Sequence, residues 1–230
     1  MKTVALVVAG GRGTRMGGGI PKQFLRLGKL PVLVHALLVF QRSRQISQIV
    51  LVVPKGFGGR AEALVGRHRL GKVVRVVMGG KERQDSVLLG LRAISQDADI
   101  VLIHDAARPG VTRNLVEGSI RRLLRKREGV LVAIPVADTL KRVEKGMVIA
   151  TLDRSVLWRA QTPQVFPYPE ILEAYERAER EGFRATDDAA IYQWAGGRVS
   201  IFPGEARNLK VTTPEDLKMA SLMLSKRKRI

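Results

Sequence analysis

Short runs of apolar, mostly β-branched residues recur along the chain, and longer stretches of helical character separate most of them. The runs are Val4–Ala9, Ile49–Pro54, Val73–Met78, Ile100–His104, Val130–Val136 and Val199–Phe202. The helical stretches are Pro31–Arg44, Arg60–Arg69, Arg83–Ser95 and Thr112–Arg127. Continuous apolar runs are typical of strands that are buried on both faces. Their alternation with helices predicts an α/β fold, a Rossmann-like and mostly parallel sheet with helices on both faces, whose ligands bind at the carboxyl ends of the strands.

One segment breaks this alternation. Residues 139–153, TLKRVEKGMVIATLD, contain two strand-like runs on either side of Lys145 and Gly146, which predicts a protruding β-hairpin. An isolated hairpin is marginally stable in water, so we expect this arm, about residues 137–157, to pack on something else, such as a second subunit.

Because the chain shows no low-complexity linker, we expect residues 1–230 to form one domain. Thr213 to Asp216 predict the start of a C-terminal helix.

The composition adds a strong positive charge to this picture. The 230 residues include 40 Lys and Arg against 21 Asp and Glu, a net charge of +19, which suggests nucleic acid, an anionic membrane surface or a phosphorylated small molecule as partner. The absence of Cys excludes disulfides and thiolate nucleophiles, and the three His lack the spacing of a metal site. No run approaches the roughly 18 apolar residues of a membrane span, so we expect a soluble, cytoplasmic protein without a membrane partner.

A glycine-rich loop follows the first predicted strand. Residues 9–22 read AGGRGTRMGGGIPK, and Arg15 and Lys22 flank a triglycine. Glycines at the end of a strand allow backbone N–H groups to approach a phosphate, although this spacing matches neither a Walker loop nor a Rossmann fingerprint. Such a loop can be an ordinary surface turn with two solvated cations. Its position after the first strand favours a loop that binds a triphosphate.

Seven blocks in order extend this observation over the whole chain. They are residues 8–25 with VAGGRGTRM and PKQFL, 79–87 with GGKERQDSV, 104–109 with HDAARP, 135–141 with PVADTLK, 157–164 with LWRAQTPQ, 186–188 with TDD, and 208–212 with NLKVT. Together they resemble the 2-C-methyl-D-erythritol 4-phosphate cytidylyltransferases, nucleotidyltransferases of the non-mevalonate isoprenoid pathway.

The resemblance implies a reaction and a set of site residues. The phosphate of methylerythritol phosphate would attack the α-phosphorus of CTP with Mg²⁺ present, and pyrophosphate would leave. The implied catalytic residues are Arg15, Lys22 and Lys210, the last on a predicted strand Asn208–Val211. The implied substrate-positioning residues are Arg154, Thr139, Asp105, Ala107, Arg108 and Thr162. The implied nucleotide-binding residues are Ala9, Gly10, Gly11, Gly13, Gly79, Asp85 and Ser86.

Several of these residues have a second interpretation. Asp105 is the candidate Mg²⁺ ligand, directly or through water, but it can instead cap the following turn and pair with Arg108. Asp85 and Ser86 can cap the helix that begins near Val87. His104 is expected to be a strand residue whose ring is hydrogen-bonded rather than an acid or base.

The same resemblance implies a partner and one rival function, and the net charge of +19 suggests a second rival. The resemblance implies a homodimer in which the arm completes the neighbour's site. A ribitol 5-phosphate cytidylyltransferase is the nearest rival, and Thr139, Arg154 and the LWRAQTPQ block favour methylerythritol phosphate. A basic nucleic-acid-binding protein is the rival of another class. An aromatic content of 5% and the lack of a recognition motif argue against specific nucleic-acid binding.

Overall fold

A central sheet with helices on both faces forms the body of the molecule. The computed structural model describes residues 1–11 and 19–225. The strands are β1 (Thr3–Val8), β2 (Arg26–Leu27), β3 (Leu30–Pro31), β4 (Gln48–Val53), β5 (Val73–Met78), β6 (Ile100–Asp105), β7 (Gly129–Pro135), β8 (Lys141–Glu144), β9 (Met147–Thr151), β10 (Trp158–Pro167) and β11 (Val199–Pro203). The helices are α1 (Val32–Arg42), α2 (Gly58–Arg67), α3 (Arg83–Arg92), α4 (Arg113–Lys126), α5 (Tyr168–Arg180), α6 (Asp188–Trp194) and α7 (Pro214–Ser225), with short 3-10 turns at Lys22–Phe24 and Arg154–Val156.

The main sheet has seven strands in the order β11-β7-β10-β6-β1-β4-β5. All of its neighbours are parallel except at β10, which runs antiparallel to both β6 and β7. The prediction of a mostly parallel α/β sheet is therefore confirmed. The carboxyl ends of β1, β5 and β6 and the start of α3 lie around one cavity, so the fold brings together segments that are far apart in the sequence.

The core lies on both faces of this sheet. Every residue of β1 and of β6 is buried, as the continuous apolar runs predicted. One face packs against apolar residues of α1, α2 and α4, and the other packs against those of α3, α5 and α6. Covered on both faces, the central strands form a rigid base for the loops at their ends. Within the described residues, no helix has both the length and the apolar composition needed to cross a membrane.

The predicted hairpin and C-terminal helix are both present. Among the described strands, β8 and β9 pair only with each other, across a turn in which Lys145 and Gly146 have φ of 47° and 82°, values typical of a type I′ turn. At the start of α7, the Asp216 N–H donates to Thr213 Oγ1 at 3.2 Å and the Thr213 N–H donates to Asp216 Oδ2 at 2.9 Å. These reciprocal bonds form the cap that the sequence predicted.

Three elements in the second half of the chain were not predicted from the apolar runs: β10, α5 and α6. The middle of β10 contains the polar residues Gln161, Thr162 and Gln164, all buried and hydrogen-bonded, so this strand lacks a continuous apolar pattern. In α5 the buried positions Ile171, Ala174, Tyr175 and Ala178 recur at helical spacing, which a search for β-branched runs overlooks.

The predicted strand Asn208–Val211 does not form. The segment is irregular, and its attachment uses side chains: Asn208 Nδ2 donates to the Thr162 carbonyl at 2.7 Å, and Arg108 Nη1 donates to the Asn208 carbonyl at 2.9 Å. Gly110 packs so closely on the segment that a Cβ there would lie 2.0 Å from the Arg207 carbonyl oxygen. The Val211 N–H donates to the Ala107 carbonyl at 2.8 Å, which places Lys210 beside the end of β6.

Candidate active site

A cavity of about 700 Å³ opens at the carboxyl ends of the central strands. Its backbone wall comes from the residues after β1 and β5, and its charged wall comes from the end of β6 and the segment around Lys210. Nine predicted site residues line it: Ala9, Gly10, Gly11, Lys22, Gly79, Ser86, Asp105, Ala107 and Lys210. Predicted residues Gly13 and Arg15 lie outside the described part of the chain. A volume of this size is in the range of pockets that bind nucleotide-sized molecules.

Glycines allow two strand ends to approach Ser86 closely. A Cβ on either Gly10 or Gly79 would lie 2.7 Å from Ser86 Oγ. The Ser86 hydroxyl donates to the Glu82 carbonyl at 2.9 Å and accepts the Gly80 N–H at 3.1 Å. One lone pair of this hydroxyl therefore stays available to a ligand.

Gln23 fixes the start of the glycine-rich loop, a role that the sequence analysis did not assign. Its buried side-chain amide donates to the carbonyl of Ala9 and to that of Gly11, the latter at 2.9 Å. The neighbouring residue Lys22 lines the cavity. The position of Gln23 within the PKQFL block, directly beside a predicted catalytic Lys, was the available signal.

Asp105, the last residue of β6, forms the acidic centre of the charged wall. Its Oδ2 accepts from Lys210 Nζ at 2.8 Å, and its Oδ1 accepts from Arg83 Nε at 3.0 Å. Burial alone would raise the pKa of Asp105, but the charges of Arg83 and Lys210 outweigh it and hold the pKa well below its usual range. Asp105 therefore stays ionised at neutral pH and fixes both cations at the cavity.

Behind Asp105, Arg83 connects the cavity to a buried acid. Its Nη1 and Nη2 each donate at 2.7 Å to Asp188, whose side chain is 0% exposed, and the Tyr175 hydroxyl donates to the same carboxylate at 2.5 Å. Burial alone would lower the pKa of Arg83, but Asp188 and Asp105 raise it well above its ordinary value. Arg83 and Asp188 were not predicted as site residues, although both belong to sequence blocks that carry the family resemblance.

His104 and Thr162 support Asp105 from the interior. Thr162 Oγ1 accepts the Asp105 N–H at 3.1 Å and lies 2.9 Å from His104 Nδ1, while His104 Nε2 lies 3.2 Å from the Arg108 carbonyl. Both ring nitrogens of His104 have partners, as predicted for a structural histidine. Thr162 is buried behind the cavity rather than in its lining.

His104 should make the fold sensitive to mild acid. Burial lowers its pKa to about 4 from an ordinary value of 6.5, so between these values the unfolded chain binds a proton that the folded chain does not. We expect the free energy of unfolding to be unaffected by His104 above pH 6.5 and to fall by about 3 kcal/mol as the pH drops from 6.5 to 4. Urea unfolding across this range measures the effect. A His104→Gln variant should have a flatter profile, and an equally steep profile in that variant would contradict the assignment to His104.

Besides Thr162, four predicted site residues lie outside the cavity lining. Asp85 forms a capping box with Glu82 at the start of α3 and pairs with Arg184 at 2.5 Å, which agrees with its second interpretation as a cap. Thr139 and Arg154 belong to the arm, and Arg154 donates to the Ala137 carbonyl there.

Arg108 is the fourth of the predicted site residues outside the cavity lining. The alternative ion pair between Arg108 and Asp105 is wrong, because the Arg108 guanidinium donates to the carbonyls of Asn208 and Ala160, and Asp105 pairs with Arg83 and Lys210.

The described residues offer a magnesium ion one well-placed carboxylate. They contain no cluster of three or more His, Cys, Asp or Glu side chains that could hold a metal, and both oxygens of Asp105 already accept from cations. Each oxygen keeps a second lone pair, with which it could ligate Mg²⁺ directly or through water. Mg²⁺ commonly takes phosphate oxygens and water with one or two carboxylates, so the site fits an ion held chiefly by a nucleotide.

The cavity combines glycine backbone, cations and the carboxylates of Glu82 and Asp105 at the end of a parallel sheet, as nucleotide-binding sites do. A model of the 2-C-methyl-D-erythritol 4-phosphate cytidylyltransferase family matches residues 3–226. The chain belongs to this family. It is a nucleotidyltransferase that transfers a cytidylyl group to 2-C-methyl-D-erythritol 4-phosphate. The matches do not favour ribitol 5-phosphate transfer or nucleic-acid binding.

Individual members of the cytidylyltransferase family match over nearly the full chain. The enzyme of Geobacter metallireducens is 44% identical over 231 residues, with 99% of each chain covered, and that of Halalkalibacterium halodurans is 40% identical over 229 residues, with 100% of each covered. The 4-diphosphocytidyl-2C-methyl-D-erythritol synthase structure from Anaerococcus prevotii has a TM-score of 0.85 at 29% identity, covering 97% of this chain and 98% of that one. A cytidylyltransferase structure from Thermus thermophilus has a TM-score of 0.80 at 32% identity, covering 96% and 98%.

Proposed function

We propose that the cavity binds CTP and that Lys22, Lys210 and the glycine backbone hold its triphosphate. A phosphate oxygen of methylerythritol phosphate attacks the α-phosphorus, and the bond from that phosphorus to the bridging oxygen of the β-phosphate breaks. Pyrophosphate leaves with the electron pair of that bond. The observation that carries this proposal is the convergence of Lys22, Lys210 and Asp105 on one glycine-lined cavity.

The cations supply the catalysis in this proposal. Negative charge builds up on the α-phosphate and on the leaving pyrophosphate, and fixed cations stabilise it without rearranging. Asp105 and Arg83 hold Lys210 in place for this task. The sequence prediction adds Arg15 to these cations, and this residue lies outside the described part of the chain. A bound Mg²⁺ would neutralise phosphate charge, and Asp105 would hold it through water.

Selection of cytosine follows from the Ser86 hydroxyl. Its proton is donated to the Glu82 carbonyl, so the available lone pair can only accept a hydrogen bond from a ligand. The amino group of cytosine can donate this bond, whereas the corresponding oxygen of uracil cannot. With uracil, the Ser86 lone pair would face an oxygen and form no hydrogen bond, which disfavours uracil.

A pyrophosphate-release assay tests the reaction. The purified protein receives CTP, UTP or ATP with Mg²⁺, together with methylerythritol phosphate or ribitol 5-phosphate. We expect the highest kcat/KM for CTP with methylerythritol phosphate. Equal rates with ribitol 5-phosphate, or equal rates with UTP, would contradict the corresponding part of the proposal.

The arm, residues 137–157, is the proposed dimer contact. Its two strands pair with no other strand in the part of the chain that the structure describes. Many of its apolar side chains are exposed: Leu140, Val143, Met147, Val148, Ile149, Leu152 and Val156. A two-stranded hairpin with an exposed apolar surface gains stability by packing against a partner. We place Thr139 and Arg154 of one chain at the substrate phosphate of a second chain, because arginine can bind a phosphate through two charge-assisted bonds.

A mixture of two inactive variants tests this shared site. In hybrids of Lys22→Ala and Arg154→Ala chains, one of the two sites would contain both native residues. We expect a 1:1 mixture to recover about one quarter of the native activity after subunit exchange, since half of the dimers are hybrids with one intact site each. Lys22→Ala mixed with Lys210→Ala is the matched control and should recover none. No recovery in the first mixture, with exchange demonstrated by mass, would exclude the shared site.

A further inference from the structure

A second cavity of about 410 Å³ lies between the β2–β3 hairpin and α2. We refer to it as the basic groove. Over residues 1–11 and 19–225, it shares no lining residue with the CTP cavity. The side chains around it include Arg26 and Lys29 from the hairpin and Arg60, Arg67 and His68 from α2 and its end. None of the described residues that line it is acidic.

The helix presents these cations on one side. Positions 60, 63, 64 and 67 lie on one face of α2, and Glu62 lies on the opposite face. Arg26, Lys29, Arg60 and Arg67 have no carboxylate within 4.0 Å among the described residues, whereas many other arginines of the protein form ion pairs. The groove therefore concentrates positive charge that the protein itself leaves unneutralised.

The groove also has an apolar wall. Leu64 and Pro31 are partly buried there, and Phe24 is only 3% exposed. The Arg60 guanidinium lies 5.6 Å from the centre of the Phe24 ring, and that ring packs at 5.1 Å against Phe57. Stacking on an aromatic ring restricts an arginine that would otherwise be freely solvated. A concave surface with cations at the rim and apolar side chains inside differs from a solvated helix face.

We propose that the basic groove is a binding site for a small organic phosphate, whose phosphate contacts Arg60, Arg67 and the hairpin cations and whose compact apolar group lies against Pro31 and Leu64. Arginine suits a phosphate because its planar group can donate two parallel charge-assisted bonds. The volume is in the range of small-molecule pockets. The site accounts for part of the net charge of +19 that the CTP cavity leaves unexplained.

The groove is physically connected to the active site. Phe24 ends the 3-10 turn Lys22–Phe24, and the middle residue of that turn, Gln23, holds the carbonyls of Ala9 and Gly11. A ligand bound to Arg60, which stacks on Phe24, would therefore be linked through that ring to the turn that carries Lys22. This connection distinguishes the basic groove from an incidental surface depression.

His68 gives a local spectroscopic probe for the test. It lines the groove, and the chain has only two other histidines, His35 and His104, neither of which lines either cavity. The ring resonances are followed by proton–carbon NMR of the full chain, with a His68→Gln variant to assign the His68 signal. The probes are phenyl phosphate, inorganic phosphate and phenol at equal concentrations.

We expect phenyl phosphate to shift the His68 signal saturably, inorganic phosphate to bind more weakly and phenol to have no effect. Arg60→Ala/Arg67→Ala should weaken phenyl phosphate at least tenfold, because two charge-assisted contacts are lost. Arg42→Ala/Arg44→Ala, which removes two exposed cations outside the groove, should change the affinity less than twofold.

Three results would overturn the proposal. They are a His68 signal that does not respond to phenyl phosphate, an affinity that the Arg60→Ala/Arg67→Ala variant retains, and equal affinity for phenyl phosphate and inorganic phosphate. A short oligonucleotide that shifts His68 at far lower concentration would overturn the small-molecule assignment in favour of nucleic acid.

Discussion

Replacing Lys210 by alanine is expected to lower kcat for cytidylyl transfer by about 10²- to 10³-fold. Lys210 Nζ is fixed at 2.8 Å from Asp105 at the edge of the cavity, so its charge is in position before the substrate binds. A fixed cation stabilises the charge of the transition state without reorganisation, and alanine removes it. Steady-state kinetics with CTP and methylerythritol phosphate measure kcat and each KM separately.

Two variants control this result. Lys126→Ala removes an exposed lysine from the last turn of α4, far in sequence from the lysines that line either cavity, and should leave kcat unchanged. Lys210→Arg retains a positive charge and should keep more of the rate than alanine does. A Lys210→Ala protein with a native circular dichroism spectrum and a kcat within threefold of the native value would remove Lys210 from the mechanism.

Replacing Arg83 by alanine is expected to produce the largest loss of stability. Asp188 is 0% exposed and receives two of its hydrogen bonds from Arg83, so the variant leaves a buried carboxylate without its counterion. Breaking a buried pair in this way costs about 3–5 kcal/mol, which lowers Tm by roughly 10 °C in a chain of this size. Thermal unfolding followed by circular dichroism measures the change.

Two further variants separate the effect of Arg83 on stability from its effect on the position of Asp105. Arg184→Ala breaks the exposed ion pair between Arg184 and Asp85 at the start of α3. It should lower the free energy of unfolding by less than about 1 kcal/mol. Arg83→Leu/Asp188→Asn removes both charges of the pair, so it should regain much of the stability. We expect its kcat to remain below the native value, because Asp105 has lost its contact with Arg83 Nε. If the double variant recovered kcat together with Tm, Arg83 would have only a structural role.

The sequence predicts the sheet well because its central strands are covered on both faces. β1 and β6 consist of residues that are all buried, and such strands appear as continuous apolar runs. β10 was missed because its buried positions include Gln161 and Gln164, whose amides bond to the backbone and to side chains of other segments. Local patterns report burial of apolar groups and do not report burial of bonded polar groups.

The ion pairs in the charged wall of the active site could not be predicted from local sequence patterns either. The family resemblance named Lys210 and Asp105 separately, and their ion pair joins residues that are distant in sequence. Arg83 and Asp188 are separated by 105 positions, and an arginine at a helix start looks the same in the sequence whether it faces water or a buried acid. The arrangement depends on α3 and α6 packing on one face of the sheet, which periodicity does not specify.

The contact between Gly110 and Arg207 limits which residues this enzyme can accept at position 110. A Cβ at position 110 would meet the Arg207 carbonyl at 2.0 Å, and both partners are backbone, so no side-chain rotation makes room. Any other residue there must displace the segment that carries Lys210. A missense change at Gly110 would therefore act as an active-site mutation, although the residue does not line the cavity.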